Sequence, residues 1–433
     1  MFNIFIIMIC VLLIYSFYKY TVKKLYFLNI YMSSLFLCAC VLLFILTIIF
    51  NPKQSFDAAL SGINLCLNVV FPSLFPFFVA TELLTNLGLV HILGIILEPI
   101  MRPLFNVPGS GSFAFAMGII SGYPVGAKVI VDLKQKGLCT KTEGERLLTF
   151  CNNSGPLFIL GAVAVGMFHQ PAIGSILFIA HFLGSLTVGL CFRFYKSGKN
   201  KTKTYKRKQS LSLFLKRVIK QLKMVRENDG RSFGELFGDA IKNSVNLLLK
   251  IGGFIVFFSV LINLLKYLKI IQILSQLLSI FLVPLGIEEV LLPAIASGLF
   301  EITTGIKMIS THLALPFIQK LMVTSFILGW AGLSIHSQVM SIITKMNISI
   351  GPYILGKGLH GIFSAIYTYL LLYYTPLSTT VLSQYNKSFT KVTNQNILES
   401  LYLSIIYLGN LLFFLVMFCI FVVLTTTFNK NKH

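Results

Sequence analysis

Two short stretches of an otherwise apolar chain carry most of the groups able to hold a solute. The first is SGYPVGAK, residues 121–128. Gly122 and Gly126 let the backbone bend sharply or approach a ligand closely. Pro124 removes an amide donor and biases Tyr123 toward extended geometry. A helix restarting after Pro124 presents free N–H groups and the positive end of its dipole, which suits an anion. Ser121 adds a hydroxyl, Tyr123 an aromatic face, and Lys128 a full charge nearby. The second stretch, SGLFEITTGIK, opens with Ser297 and Gly298 and carries Glu301, Thr303 and Thr304 where the first has Tyr and Pro. A carboxylate in such an apolar setting costs at least ~2.5 kcal/mol on insertion scales, so Glu301 needs a partner. Lys307, Lys128 and His336 are the candidates. Glu301 then either locks two helices as an ion pair or contacts a solute or a coupling cation.

A third polar group lies in CNNSGP, residues 151–156. Asn152, Asn153 and Ser154 precede Gly155 and Pro156 and offer both donors and acceptors. They suit a polar ligand, and equally a set of interhelical hydrogen bonds. His181, His312, His336 and His360 are dispersed, and each reads as a packed or a proton-carrying side chain. Glu82 and Asp57 are acids of the same ambiguous kind, although Asp57 and Asp239 could instead open helices.

Enzyme chemistry finds no seat. GPYILGKG, residues 351–358, has the spacing of a phosphate loop, but Gly358 replaces the Ser/Thr that would hold magnesium. It leads into an apolar span, so a chance match or a helix break is the better reading. H-E-x-x-H, G-x-S-x-G and an aspartate-rich metal pair are absent from the sequence. No enzyme, cofactor or metal is expected, and without a nucleotide site the chain is not a primary pump. The eight cysteines are scattered without a C-x-x-C pair, which argues against a disulfide or zinc framework.

The elements that position these groups are apolar helices. Of 433 residues, 56% are hydrophobic and 12% charged, and the mean hydropathy is +0.83. Repeated apolar runs near twenty residues long put the chain in the polytopic membrane class, all-α, with about nine or ten transmembrane helices plus broken or re-entrant pieces. Candidate spans are 2–18, 27–50, 147–168, 172–194, 241–265, 291–313, 318–342, 353–375 and 400–426, with interrupted stretches at 63–97, 111–131 and 268–286. The first run lacks a basic n-region and a small-residue cleavage site, and reads as a retained helix.

The net charge of +22 is concentrated: fourteen Lys and Arg lie between Arg193 and Arg231, opposed by Glu227 and Asp229. A basic loop dividing an apolar chain near its middle reads as a positive-inside determinant that also meets anionic headgroups, and not as a nucleic-acid surface.

The two halves echo each other. Asp57 precedes Asn64 by seven residues, as Asp239 precedes Asn246, and an aromatic-rich apolar run follows in both copies. Gly155 lies 34 residues after Ser121, and Gly332 lies 35 after Ser297. The expected organisation is N-terminal helices over 1–50, a first gate-like repeat over 51–195, the basic cytoplasmic loop over 196–236, a second repeat over 237–376, and a loop with a C-terminal helix over 377–433. Paired repeats with interrupted helices mark the midplane binding site of secondary transporters.

FPSLFPFFV (71–79), SGYPVGAK and CNNSGPLFILGAV (151–163) resemble the sporulation integral membrane proteins of the YlbJ (SpoVV) type, within the nucleoside-recognition gate domain family, which is similar to concentrative nucleoside transporters. The resemblance covers roughly residues 30–375. It implies re-entrant hairpins and broken helices around a midplane site. It also implies a cell-membrane protein of an endospore-forming bacterium, in the outer forespore membrane during sporulation. The implied cargo is dipicolinic acid, a small planar anionic solute. Glu301 does not obviously suit a dianion and leaves room for proton or cation coupling. A nucleoside or nucleobase carrier is the alternative, and a membrane scaffold for spore-envelope assembly is the alternative of another class. Expected partners are the anionic solute and membrane lipids, not nucleic acid, and a homo-oligomer is compatible with this reading.

Overall fold

The structure, a computed structural model, describes residues 26–198, 218–220, 223–225, 227, 229–312 and 315–374. The expected spans at 2–18 and 400–426, the C-terminal segment, and most of the basic loop lie outside the described residues. Every regular element among the described residues is helical, and the protein is an all-α polytopic membrane protein. Four stretches there are long and apolar enough to cross a membrane: Pro52–Asn86, Pro171–Phe192, Phe233–Tyr267 and Phe317–Ile343. Several expected spans fall short of that length because they are broken where the sequence places Gly, Pro and polar residues.

The chain forms two compact units, residues 1–58 and 59–433. The first holds α1 (Tyr26–Phe50) and the start of α2 (Pro52–Leu65). The second opens, after a π-helical turn, with α3 (Phe71–Asn86) and α4 (Leu89–Ile100). A helical hairpin follows, α5 (Gly111–Ile120) and α6 (Val125–Gln135). Next comes α7 (Lys141–Cys151), interrupted before a π-helical segment, Phe158–Met167, and then α8 (Pro171–Phe192).

The same order recurs. The long helix α9 (Phe233–Tyr267) and α10 (Ile270–Leu282) lead into the hairpin α11 (Leu292–Phe300) and α12 (Ile302–Thr311). A second broken helix follows, α13 (Phe317–Trp330) and α14 (Gly332–Ile343), then α15 (Ile350–Tyr374). GPYILGKG therefore lies within a continuous helix, and the helix break read there is corrected: Gly351 is exposed, while Gly356 packs against Thr149 and Gly358 faces Trp330. Asp239 also lies within its helix and pairs with Arg231 at 2.5 Å, whereas Ser232 caps α9 in a capping box with Glu235. Glu82 accepts a hydrogen bond from Asn243 at 2.9 Å.

Each break has a local cause. Gly122 takes φ +72 ahead of Pro124, and the Tyr123–Pro124 peptide is cis. Glu301 is extended between α11 and α12, and Ala331 and Gly332 both take positive φ between α13 and α14. Around these breaks the core is apolar. Phe105 and Phe150 stack at 4.6 Å between ring centroids, and Ile159, Ile306, Leu321 and Ile327 fill the other side. Outward-facing apolar side chains such as Phe281, 71% exposed, would be penalised in water and fit a lipid-facing surface.

One charged group ties the end of α8 to the core. The fully buried Arg146 donates to the Tyr195 carbonyl from Nε (2.9 Å) and Nη2 (2.5 Å), and to the Asn106 carbonyl from Nη1 (2.7 Å). Arg146→Met removes charge-assisted bonds and strands two acceptors, so it should cost about 3 kcal/mol. Thermal unfolding in detergent checks this as a clear drop in Tm.

Candidate functional site

The tip of the first hairpin is pressed against the break of the helix that follows it. A Cβ on Gly122 would lie 2.7 Å from the Gly155 amide nitrogen and 3.1 Å from its Cα, so only glycine permits this approach. The second half is built alike: a Cβ on Gly332 would meet the Phe300 and Gly298 carbonyls at 3.1 and 3.2 Å. Each hairpin tip thus rests on the interruption of its own broken helix, and the first tip also reaches the second broken helix. The Tyr123 hydroxyl accepts from Ser154 and donates to the Leu328 carbonyl of α13 at 3.3 Å.

One cavity, with about 670 Å³ of empty space counted to its open mouth, touches both tips. Its polar wall is Ser121, Tyr123, Glu301, Thr303, Ser334 and Gln338; Gly122 and Gly155 contribute backbone. The opposite wall is apolar, from Leu74 and Phe78 on α3, Phe158, and Phe254 and Ile255 on α9. A few convergent polar groups facing an apolar wall is the usual make-up of a small-molecule site.

Glu301, 3% exposed, opens α12 as its N-cap. Its Oε2 accepts from the Thr304 amide at 2.6 Å and from the Thr303 hydroxyl. Among the described residues no Lys or His stands within ion-pair distance of it, so the partners expected from sequence are corrected: two threonines and a helix terminus hold the carboxylate. Lys307 is half-buried farther along α12, and Lys128 is exposed on α6, away from the cavity. His336 packs edge-on against Trp330, and its Nδ1 lies 3.3 Å from the Tyr353 hydroxyl.

Other expected contacts turn out to support the wall from behind. Gly126 does not reach the cavity; a Cβ there would stand 2.2 Å from the Cys151 carbonyl oxygen, so this glycine lets α6 close on α7. Pro124 caps α6, Ser297 bonds back to the Pro293 carbonyl at 2.7 Å, and Gly298 packs against Ile327. Asn152, Asn153 and Ser154 are buried within a polar network behind Tyr123.

That network contains residues that sequence reasoning did not join to the site. Lys357 of α15 donates to the Asn152 carbonyl (3.1 Å), to Asn153 Oδ1 (3.4 Å) and to His360 Nδ1 (3.0 Å), and its ammonium lies 5.8 Å from the Tyr123 ring centre. His360 Nε2 donates to the His181 carbonyl at 2.7 Å, and His181 Nε2 accepts from the Ser154 amide at 3.1 Å. Asn152 Nδ2 donates to the Tyr353 hydroxyl at 3.2 Å. The signal in the sequence is a lysine inside a long apolar run, with a histidine one turn on.

The Gate family, described as nucleoside recognition, matches two segments of the chain, residues 67–186 and 248–383. The sporulation integral membrane protein YlbJ of Bacillus subtilis (strain 168) is 40% identical over 352 residues, which is 80% of this chain and 84% of that one. Among solved structures, that of CNTnw in an inward-facing substrate-bound state aligns over 72% of this chain and 76% of that one, at 12% identity and a TM-score of 0.49.

Proposed function

The chain belongs to the Gate (nucleoside recognition) family of membrane proteins, and from that premise we propose that it carries a small anionic metabolite across a membrane, dipicolinic acid during sporulation. The observation that supports this reading is a cavity bounded by hairpin tips from both halves. Broken backbone is tolerated at membrane depth where it is buried in protein or lines a watery space, and such a space between paired repeats is the seat of a carrier's cargo. A planar diacid would lie along Tyr123, with hydroxyls from Ser121, Thr303 and Ser334 around its oxygens. The positive field comes from Lys357 behind Tyr123, not from Lys128. The name of the relative supports the sporulation setting, and the outer forespore membrane is what the sequence resemblance implies.

A nucleoside is the second reading, favoured by the Glu301 carboxylate and Gln338 in the wall, which suit sugar hydroxyls and a base edge. Counterflow in proteoliposomes separates the two. Labelled dipicolinate should exchange and labelled uridine should not; the reverse result replaces the first reading with the second. In cells, the deletion strain should make spores poor in dipicolinate while still synthesising it, and normal spore dipicolinate would reject the cargo.

The same assay tests the corrected charge assignment. Lys128→Ala should leave flux within about two-fold of wild type, whereas Asn153→Ala should lower it about ten-fold, the effect of roughly 1.4 kcal/mol. Stably inserted Lys128→Ala and Asn153→Ala proteins that both keep function in sporulating cells, with no solute flux in proteoliposomes, would favour a scaffold whose breaks only pack helices.

A further inference from the structure

The first helix break presents a set of acceptors that a cation would fill. Helix α7 ends at Cys151, and Asn152 leaves helical geometry at φ −111 and ψ 87. Carbonyls at a helix C-terminus lack amide partners and face the negative end of the dipole. In carriers, unwound carbonyls and half-helix C-termini of this kind coordinate the coupling cation. Here that place is taken by a side chain of the other half.

Lys357 reaches it from α15. Its ammonium is fully buried and meets one main-chain carbonyl, one amide oxygen and one imidazole nitrogen, at 3.1, 3.4 and 3.0 Å. The imidazole is a true acceptor, because His360 Nε2 is committed as donor to the His181 carbonyl. No carboxylate lies within ion-pair distance of Lys357 among the described residues, so neutral ligands alone surround the charge, as they would an ion. Asn152 Oδ1, buried at the same break, is left without a hydrogen-bond partner. A lysine serving only as an anchor would be expected to meet a carboxylate; two oxygens of the first helix break and one imidazole of α15 around the ammonium, with a further unpartnered oxygen of Asn152 at the same break, describe a cation seat.

We propose that the Lys357 ammonium is a tethered cation filling the seat at the first helix break, so that this protein works without a dissolved monovalent cation there. The part concerning flux rests on the carrier reading; the part concerning the seat does not. Replacing Lys357 by a small residue empties the seat while leaving its acceptors, and a free sodium ion should then enter.

Two measurements test this on the full-length protein. Thermal unfolding in detergent is compared in sodium chloride and choline chloride at equal ionic strength. Wild type should unfold at the same temperature in both. Lys357→Ala should unfold at a lower temperature in choline and regain several degrees in sodium. Lys357→Met, whose side chain fills the space without charge, should regain none. Flux in proteoliposomes should be equal for wild type in the two salts, and Lys357→Ala should show at least five-fold more flux in sodium than in choline. Sodium stabilisation of wild type overturns the proposal, as does Lys357→Ala with no sodium-specific gain. If Lys357→Ala does not accumulate, Lys357→Ser takes its place, and the wild-type comparison still decides. Absence of any solute flux would count against the carrier reading alone, because the unfolding measurement needs no cargo.

Discussion

If the chain is the carrier proposed above, Glu301→Ala should lower solute flux about 100-fold, with the protein still inserted and folded. The carboxylate does two jobs at one place: it caps α12 through the Thr304 amide, 2.6 Å away, and it forms part of the cavity wall. Loss of an N-cap side chain costs about 1 kcal/mol of stability, which the fold can bear, whereas the missing carboxylate also removes a charged contact from the cavity wall. Hydrogen bonds to a charged group contribute about 1.5–3 kcal/mol, and a loss near the upper end of that range from binding at the wall corresponds to some two powers of ten in affinity. Glu301→Gln separates the roles, because its amide oxygen still caps the helix. It should keep the unfolding temperature within about two degrees of wild type while changing which solute is carried. Full flux in Glu301→Ala would remove this residue, and the second hairpin tip with it, from the path of the cargo.

Gly118→Ala should prevent accumulation of folded protein. A Cβ at this position would sit 1.7 Å from the Cys151 carbonyl oxygen and 2.7 Å from its carbon. The obstacle is main chain at the end of a helix, which cannot swing aside as a side-chain tip can. Gly126 closes on the same carbonyl from α6, at 2.2 Å for its own hypothetical Cβ. The first hairpin thus grips α7 by two glycines, the close helix approach that small residues provide in membranes. Overpacking of this kind costs about 3 kcal/mol or more and displaces the hairpin whose tip carries Tyr123. Gly253→Ala is the matched control: the site is exposed on α9, its Cβ would meet nothing within 4 Å, and helix propensity favours alanine by about 1 kcal/mol. Detergent-solubilised yield on size exclusion should fall below about a tenth of wild type for Gly118→Ala and stay unchanged for Gly253→Ala.

The comparison of Lys128 with Lys357 shows where reading along the chain stops working. Both follow a glycine or lie near one, in apolar surroundings, and Lys128 sits beside the recognisable motif. A lysine's neighbours in sequence fix the helix it rides on but not the direction it faces. Lys128 falls on the exposed side of α6, whereas Lys357 falls on the side of α15 that crosses the first broken helix. Glu301 illustrates the same limit: its need for a partner followed from its type, while the partner turned out to be the helix it begins.

The sequence by itself determined the membrane class, the two-fold recurrence of Ser-Gly tips and interrupted helices, and the breaks at SGYPVGAK and CNNSGP, though not the continuity of the helix through GPYILGKG. Those features are local: hydropathy over twenty residues, a proline without an amide hydrogen, a glycine free to take positive φ. Only the tertiary structure decided that both tips border one cavity, that α3 and α9 supply its apolar wall, and that Lys357 and His360 stand behind Tyr123. Lys357 and Asn152 are 205 residues apart along the chain. Contacts of that range are set by how helices cross, and helix crossing depends on side-chain shape summed over many positions, which no short motif records.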